Sequence, residues 1–245
     1  MNPVIDLLLG HRSIRKFTDK AISPELLQRL VAAGQSAATS SFLQGTTVIR
    51  VTNPEARARI ATLAGNQPYV EKAAEFLVCC ADLKRPGNYC EKYGKPFEGD
   101  YTEHFIIATV DVALFAQNLV VAAESAGLGI CYIGGIRNNP APVSEILQLP
   151  KGVYPVFGMC LGYPDQDPEV KPRLPVSVVM KQEVYNEEGD AEAIAEYDEL
   201  IREYYKIRTG GGHGIPWTEQ VAVLLSEKAR PHMREFLAAQ GFKFR

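Results

Sequence analysis

"HFIIATVDVALFAQNLVVAAES", His104–Ser125, runs directly into "AGLGICYIGG", Ala126–Gly135, and the fold is decided there. The first stretch is apolar on most sides. It predicts the longest helix of the chain, buried in the domain core or in a subunit interface. Gly127 ends that helix. Ile130–Gly135 then predicts a strand that finishes on two glycines.

Working outward, the β-branched run Thr46–Thr52 predicts a strand, and Glu75–Asp82 and Tyr154–Pro164 read as two more. A short helix is expected at Asn2–Gly10. Ser23-Pro24-Glu25 starts another, with Leu26, Leu27, Leu30 and Val31 at helical spacing. Asn53-Pro54 leads into a helix around Glu55–Leu63, and Asn139-Pro140 into a short one ending at Leu147. Lys84–Asp100, rich in Gly, Pro and charge, reads as an exposed loop or cover. Glu192–Ile207, Trp217–Ala229 and Pro231–Gln240 read as helices, and "TGGGHG", Thr209–Gly214, as a mobile loop. The class is α+β, a small sheet with helices before, between and after. Pro164, Pro168, Pro172 and Pro175 mark an arm, without a repeat or domain break. The expectation is one domain over 1–245, with an arm around 164–189 and a helical extension over 190–245.

The chain has 245 residues, 46% hydrophobic and 22% charged, and a formal net charge of −3. That balance gives no reason to expect nucleic acid or an anionic membrane as a partner. The N-terminus lacks the form of a signal peptide. Asp111, Gln117, Asn118 and Glu124 interrupt the most apolar segment, and its uncharged run, Val112–Ala123, falls short of the ~20 residues of a membrane span. A soluble, cytoplasmic protein is expected. Cys79, Cys131 and Cys160 lie in apolar strand-like runs and read as small core hydrophobes.

Several familiar sites are missing. No GxGxxG or GxxxxGK[ST] loop occurs, no HExxH and no GxSxG. His11, His104, His213 and His232 have no ligand spacing, so no metal is expected. What survives is anion-binding chemistry on scattered segments. In "GHRSIRKFTD", Gly10–Asp19, Arg12, Ser13 and Arg15 supply two guanidinium forks and a hydroxyl, the donor types that a phosphate monoester takes. The two arginines share a helical face or converge from a turn. The competing reading is a solvated basic helix end. Lys171 and Arg173 in "VKPRLP" form a second pair, stiffened by Pro172; a solvated linker is the alternative. "TSSFLQG", Thr39–Gly45, "NQPY", Asn66–Tyr69, and "YIGG", Tyr132–Gly135, offer hydroxyls, amides, rings and close backbone approach, or are ordinary turns.

These segments, with "GLGICYIGGIRNN" and "FGMCLGYPDQDPEVKPRLP", together resemble the flavin-dependent, oxygen-insensitive nitroreductases, in their NADPH-preferring branch. The resemblance covers nearly the whole chain. It implies a nitroreductase-like α+β fold, with a small mixed or antiparallel sheet flanked by helices, built as an intertwined homodimer. It implies FMN as bound cofactor and NADPH as co-substrate. The FMN phosphate then lies on His11, Arg12, Ser13 and Arg15, with Lys171 and Arg173 as the second basic pair. Val170 stands where the family usually has Leu, a change that leaves the pair intact. Ser40, Gln67 and Tyr69, and Tyr132, Ile133, Gly134 and Gly135 beside the ring, fall on FMN positions. Arg208, before the glycine loop, matches an Arg that binds the NADPH 2′-phosphate. Ser41 and Phe42 are candidates for the oxidised substrate. Arg230 is a further candidate, or a cation suited to a helix end. No side chain is expected to be catalytic, because FMN N5 carries the hydride. The implied activity is ping-pong two-electron reduction of nitroaromatics, quinones or flavins. The alternatives are a reductase supplying reduced FMN, or a flavin-binding protein without turnover.

Overall fold

A computed structural model describes every residue except Met1, His213 and Lys228. Four strands form one sheet: β1 (Thr46–Arg50), β2 (Glu75–Asp82), β3 (Gly129–Ile133) and β4 (Val153–Gly162). Their order is β1-β2-β4-β3, and every neighbouring pair is antiparallel. The expected strands are therefore found in place, in a wholly antiparallel sheet. β2 and β4 are central and covered on both faces, which is why they read as continuous apolar runs rather than alternating ones.

Successive residues of β2 point to opposite faces. Leu77, Cys79 and Ala81 enter one core with Ile130, Met159 and Leu161; Phe76, Val78 and Cys80 enter the other with Cys131, Ile133 and Cys160. Each fully buried aliphatic side chain contributes about 1.5–3 kcal/mol.

The helices are α1 (Pro3–Leu9), α2 (Pro24–Gln35), α3 (Pro54–Leu63), α4 (Tyr69–Lys72), α5 (Lys84–Lys92), α6 (Thr102–Ser125), α7 (Pro140–Ile146), α8 (Val176–Val179), α9 (Asp190–Arg208), α10 (Trp217–Ser226) and α11 (Met233–Ala239). Helices α2, α6 and α11 cover the Leu77 face, and α3, α4 and α7 the Phe76 face. The expected starts hold: Ser23 Oγ accepts from Leu26 N–H at 3.1 Å and Asn53 Oδ1 from Ala56 N–H at 2.9 Å, each ahead of a proline. Asn139 departs from that pattern; its side-chain amide donates to Leu63 O at 2.8 Å.

Four expectations are corrected. Lys84–Asp100 is not all loop, because α5 occupies its first half, with the Phe97 ring packed against Gly87. The strand over Ile130–Gly135 starts at Gly129 and stops at Ile133; Gly134–Asn138 form a 3-10 turn. Helix α10 stops at Ser226, short of Ala229. The segment length that argued against a membrane span is also superseded. Among the described residues α6 is the one helix long and apolar enough to cross a membrane, by length and composition only. One side of α6 packs on the sheet through Ala108, Val112, Leu119 and Ala123. The glycine loop after α9 includes His213, which lies outside the described residues.

The chain divides into two compact units, Met1–Pro168 with His232–Arg245, and Glu169–Pro231. The first holds the sheet. The second holds α8, α9 and α10, joined by Tyr197 against Trp217 at 6.0 Å and by Asp198 Oδ1 accepting from Thr218 N–H at 3.0 Å.

Candidate functional site

The segment His11–Lys16 lies in neither helix nor strand. Ile14 N–H donates to Ile130 O at 2.8 Å, and the Ile14 side chain is buried against Gly129. This pins the segment beside β3. Arg12 pairs with Asp167 at 2.5 Å, and His11 Nδ1 meets Glu124 Oε1 at 2.6 Å. The shared helical face expected for Arg12 and Arg15 is thus corrected.

Arg15 is exposed, and its guanidinium lies close enough to Tyr69 to act on its phenol. Burial pushes the Tyr69 phenol above its ordinary value, and Arg15 pulls against that shift. Tyr69 OH donates to Gln67 Oε1 at 2.9 Å, and Gln67 Nε2 donates to Ala64 O at 2.9 Å. Gly135 closes the group: a Cβ there would lie 2.2 Å from Ala64 O and 2.8 Å from Gln67 Nε2. Gly134 is half-buried beside Arg137. Tyr132 stands edge-on to Phe157 at 5.0 Å, and burial raises its phenol strongly. The Ile133 side chain is fully buried in the Phe76-side core, which leaves only its backbone for a ligand. Arg15, Gln67, Tyr69 and Gly135 are therefore brought together from three separate segments.

Ser40, Ser41 and Phe42 are not part of that group. They form a 3-10 turn just before β1, at the opposite edge of the sheet and over its other face. Thr46 aligns through Ala81 with Tyr154, while Ile133 aligns with Gly158. Three strand spacings and four residues along β4 separate the two places by roughly 20 Å. Phe42 is 80% exposed.

In the second unit Lys171 Nζ donates to Tyr205 OH at 2.8 Å and lies 5.0 Å from the centre of that ring. Tyr197 OH donates to Pro172 O at 3.0 Å, which seats the segment on α9. Exposed Arg173 turns back, its Nη1 donating to Lys171 O at 2.7 Å. Arg208 ends α9, where a cation complements the helix dipole. Its Nη1 donates to Tyr204 OH at 2.8 Å, and its guanidinium lies 5.8 Å from that ring. Arg230 adopts a left-handed φ of 51° shortly after α10.

Sequence reasoning missed Asp111, Glu124, Asp167, Tyr204 and Tyr205. For Asp111 and Glu124 the signal was present: an acid in an apolar helix has to be met by donors. Among the described residues no group of three or more His, Cys, Asp or Glu is arranged to hold a metal ion.

Residues 8–163 match the Nitroreductase family, and residues 171–245 match the Nitroreductase family, C-terminal domain. The chain belongs to the nitroreductase family. It is 45% identical to an NADPH-flavin oxidoreductase of Vibrio harveyi, covering 98% of both chains. It is 41% identical to an oxygen-insensitive NADPH nitroreductase of Salmonella typhimurium, covering 100% of both. Among solved structures, an NADPH:FMN oxidoreductase from Vibrio harveyi complexed with NAD+ superimposes with a TM-score of 0.90, at 43% identity and 100% coverage of both chains. The α+β nitroreductase fold implied by the resemblance is the fold found.

Proposed function

We propose that the chain is an FMN-dependent NADPH oxidoreductase that reduces nitroaromatics, quinones or free flavin in two-electron steps. The observation that carries this reading is the cluster of Arg15, Tyr69, Gln67 and Gly135 beside β3. Its donor set suits a flavin mononucleotide. A guanidinium and the neighbouring Ser13 hydroxyl take a phosphate, and carboxamide, phenol and glycine backbone take the polar edge of a flat ring. FMN, when bound, supplies the hydride relay between NADPH and the acceptor. The side chains bind and orient. Lys171 and Arg173 are assigned to FMN on the family pattern, and Arg208 to the 2′-phosphate that separates NADPH from NADH. Ser41 and Phe42 are assigned to the acceptor.

The working form is a homodimer in this reading. Two observations support it. The Ser40–Phe42 turn and the Arg15 cluster lie too far apart in one chain to share one mononucleotide. Ile106, Val110 and Leu114 form an exposed apolar stripe on α6 at helical spacing. Action in the cytoplasm fits the buried free thiols of Cys79, Cys80, Cys131 and Cys160.

The test is the visible spectrum of the purified protein before and after anaerobic NADPH. Bleaching of a bound flavin band, reversed by nitrofurazone, is expected. A yellow protein whose colour NADPH leaves unchanged would overturn the oxidoreductase reading. A flavin reductase is the second reading, favoured by the name of the 45% identical relative. The kcat/KM for free FMN against that for nitrofurazone separates the two.

A further inference from the structure

Asp111 is 1% exposed, inside an otherwise apolar stretch of α6. An ionised carboxylate at such a place is costly unless donors meet it. Its donors are two backbone amides: Ser40 N–H reaches Oδ1 at 3.1 Å, and Gly45 N–H reaches Oδ2 at 3.3 Å. Those amides bracket one loop. Inside it Ser41, Phe42 and Gln44 take φ values of 49°, 57° and 54°. None of the three is Gly, Asn or Asp, the types that tolerate the left-handed region. A run of such residues persists only where the surroundings over-determine it. Thr39 Oγ1 accepts from Gln44 N–H at 3.3 Å, and Arg85 Nη2 donates to Gln44 O at 3.0 Å. Asp111 alone ties both ends to one rigid helix. The product of this arrangement is a Phe42 ring held out into solvent on a shaped turn.

We propose that Asp111 is a positioning residue whose two carboxylate oxygens clamp the ends of the Ser40–Gly45 loop and so fix the Phe42 ring against the oxidised substrate. The inference deepens the proposed function and rests on it in one respect, the contact between Phe42 and the acceptor. The clamp needs two acceptors. Asparagine keeps one and turns an N–H₂ donor toward an N–H, which breaks one bond at nearly unchanged volume.

The experiment pairs hydrogen exchange with kinetics on the full-length flavoprotein. In the wild type, the Ser40 and Gly45 amides exchange more slowly than the Ser41 amide. In Asp111→Asn, exchange over residues 39–45 accelerates about tenfold, the loss of a hydrogen bond to a charged group, while β2 is unchanged. The KM for nitrofurazone rises about tenfold, with kcat and the anaerobic rate of reduction by NADPH retained. On a Phe42→Ala background, Asp111→Asn adds little to KM, because both act through one ring. Fast exchange at Ser40 and Gly45 in the wild type, or unchanged exchange in Asp111→Asn, overturns the clamp. The wild-type arm stands even if the variant fails to fold. Faster exchange with an unchanged acceptor KM, or effects of the two substitutions that multiply in full, overturns the positioning role. A Phe42→Ala variant with normal acceptor KM refutes instead the proposed contact with substrate, and the exchange data then judge the clamp alone.

Discussion

The two edges of the sheet are built by opposite means. At the β3 edge the chain brings Arg15, Tyr69, Gln67 and Gly135 side by side, with Tyr69 bonded to Gln67, Gln67 to Ala64 O, and Ile14 N–H to Ile130 O. At the β1 edge it offers a turn with three left-handed non-glycine residues and an almost bare phenylalanine, tied to the core by one aspartate. The first edge is a compact polar cluster. The second is half of a contact. The difference teaches that residues assigned to one ligand on sequence can belong to two separate places in a single chain, which is the reason for proposing a second copy.

Substitutions sharpen that contrast. The largest effect is expected at the cradle's tightest point. Gly135→Ala drives a methyl into the Ala64 carbonyl, and overpacking against backbone costs about 3 kcal/mol. Thermal denaturation should show a midpoint lower by about 10 °C for a chain of this length, with flavin lost on dialysis. A normal melting profile would mean that the cradle is looser than described. Arg15→Ala comes next. Removing a charged donor from a phosphate weakens FMN roughly 10- to 100-fold, read by fluorescence titration of the apoprotein. Equal flavin affinity in variant and wild type would remove Arg15 from the cradle.

The smallest effect belongs to neither edge. Tyr204→Phe removes the hydroxyl that accepts from Arg208 but keeps the ring. The KM for NADPH should rise about threefold, consistent with one neutral partner lost, while the KM for NADH and the flavin content stay as they were. Parallel changes for both nicotinamide donors would detach Arg208 from the 2′-phosphate.

Much of the fold was legible because local and global signals agree. Ser23 and Asn53 sit before prolines and do cap helices, the β-branched run is edge strand β1, and the apolar, cysteine-containing runs are the central strands β2 and β4. Lys84–Asp100 misled because Pro86 falls in the first turn of α5, where its missing N–H costs nothing, and because Gly87 is backed by Phe97 from further along the chain. At the candidate site, residue types were legible and partners were not. Arg12 and Asp167 stand far apart in sequence, as do Ser40 and Asp111. Spacing along a chain says nothing of such pairs. The expectation that Arg12 and Arg15 share a helical face failed for a local reason. The bond from Ile14 N–H to Ile130 O keeps the segment out of a helix, and Arg12 pairs with Asp167 while Arg15 lies near Tyr69.

The central claim is that the two edges serve one active site only when two copies meet. Subunit mixing tests it most directly. Arg15→Ala and Phe42→Ala chains, each of low activity at nitrofurazone below the wild-type KM and at limiting FMN, are unfolded together, refolded with FMN and assayed under those conditions. If each site takes its cradle from one copy and its Phe42 turn from the other, half of the dimers carry one intact site, and about a quarter of wild-type activity returns. Activity no greater than the average of the two parents would contradict the account.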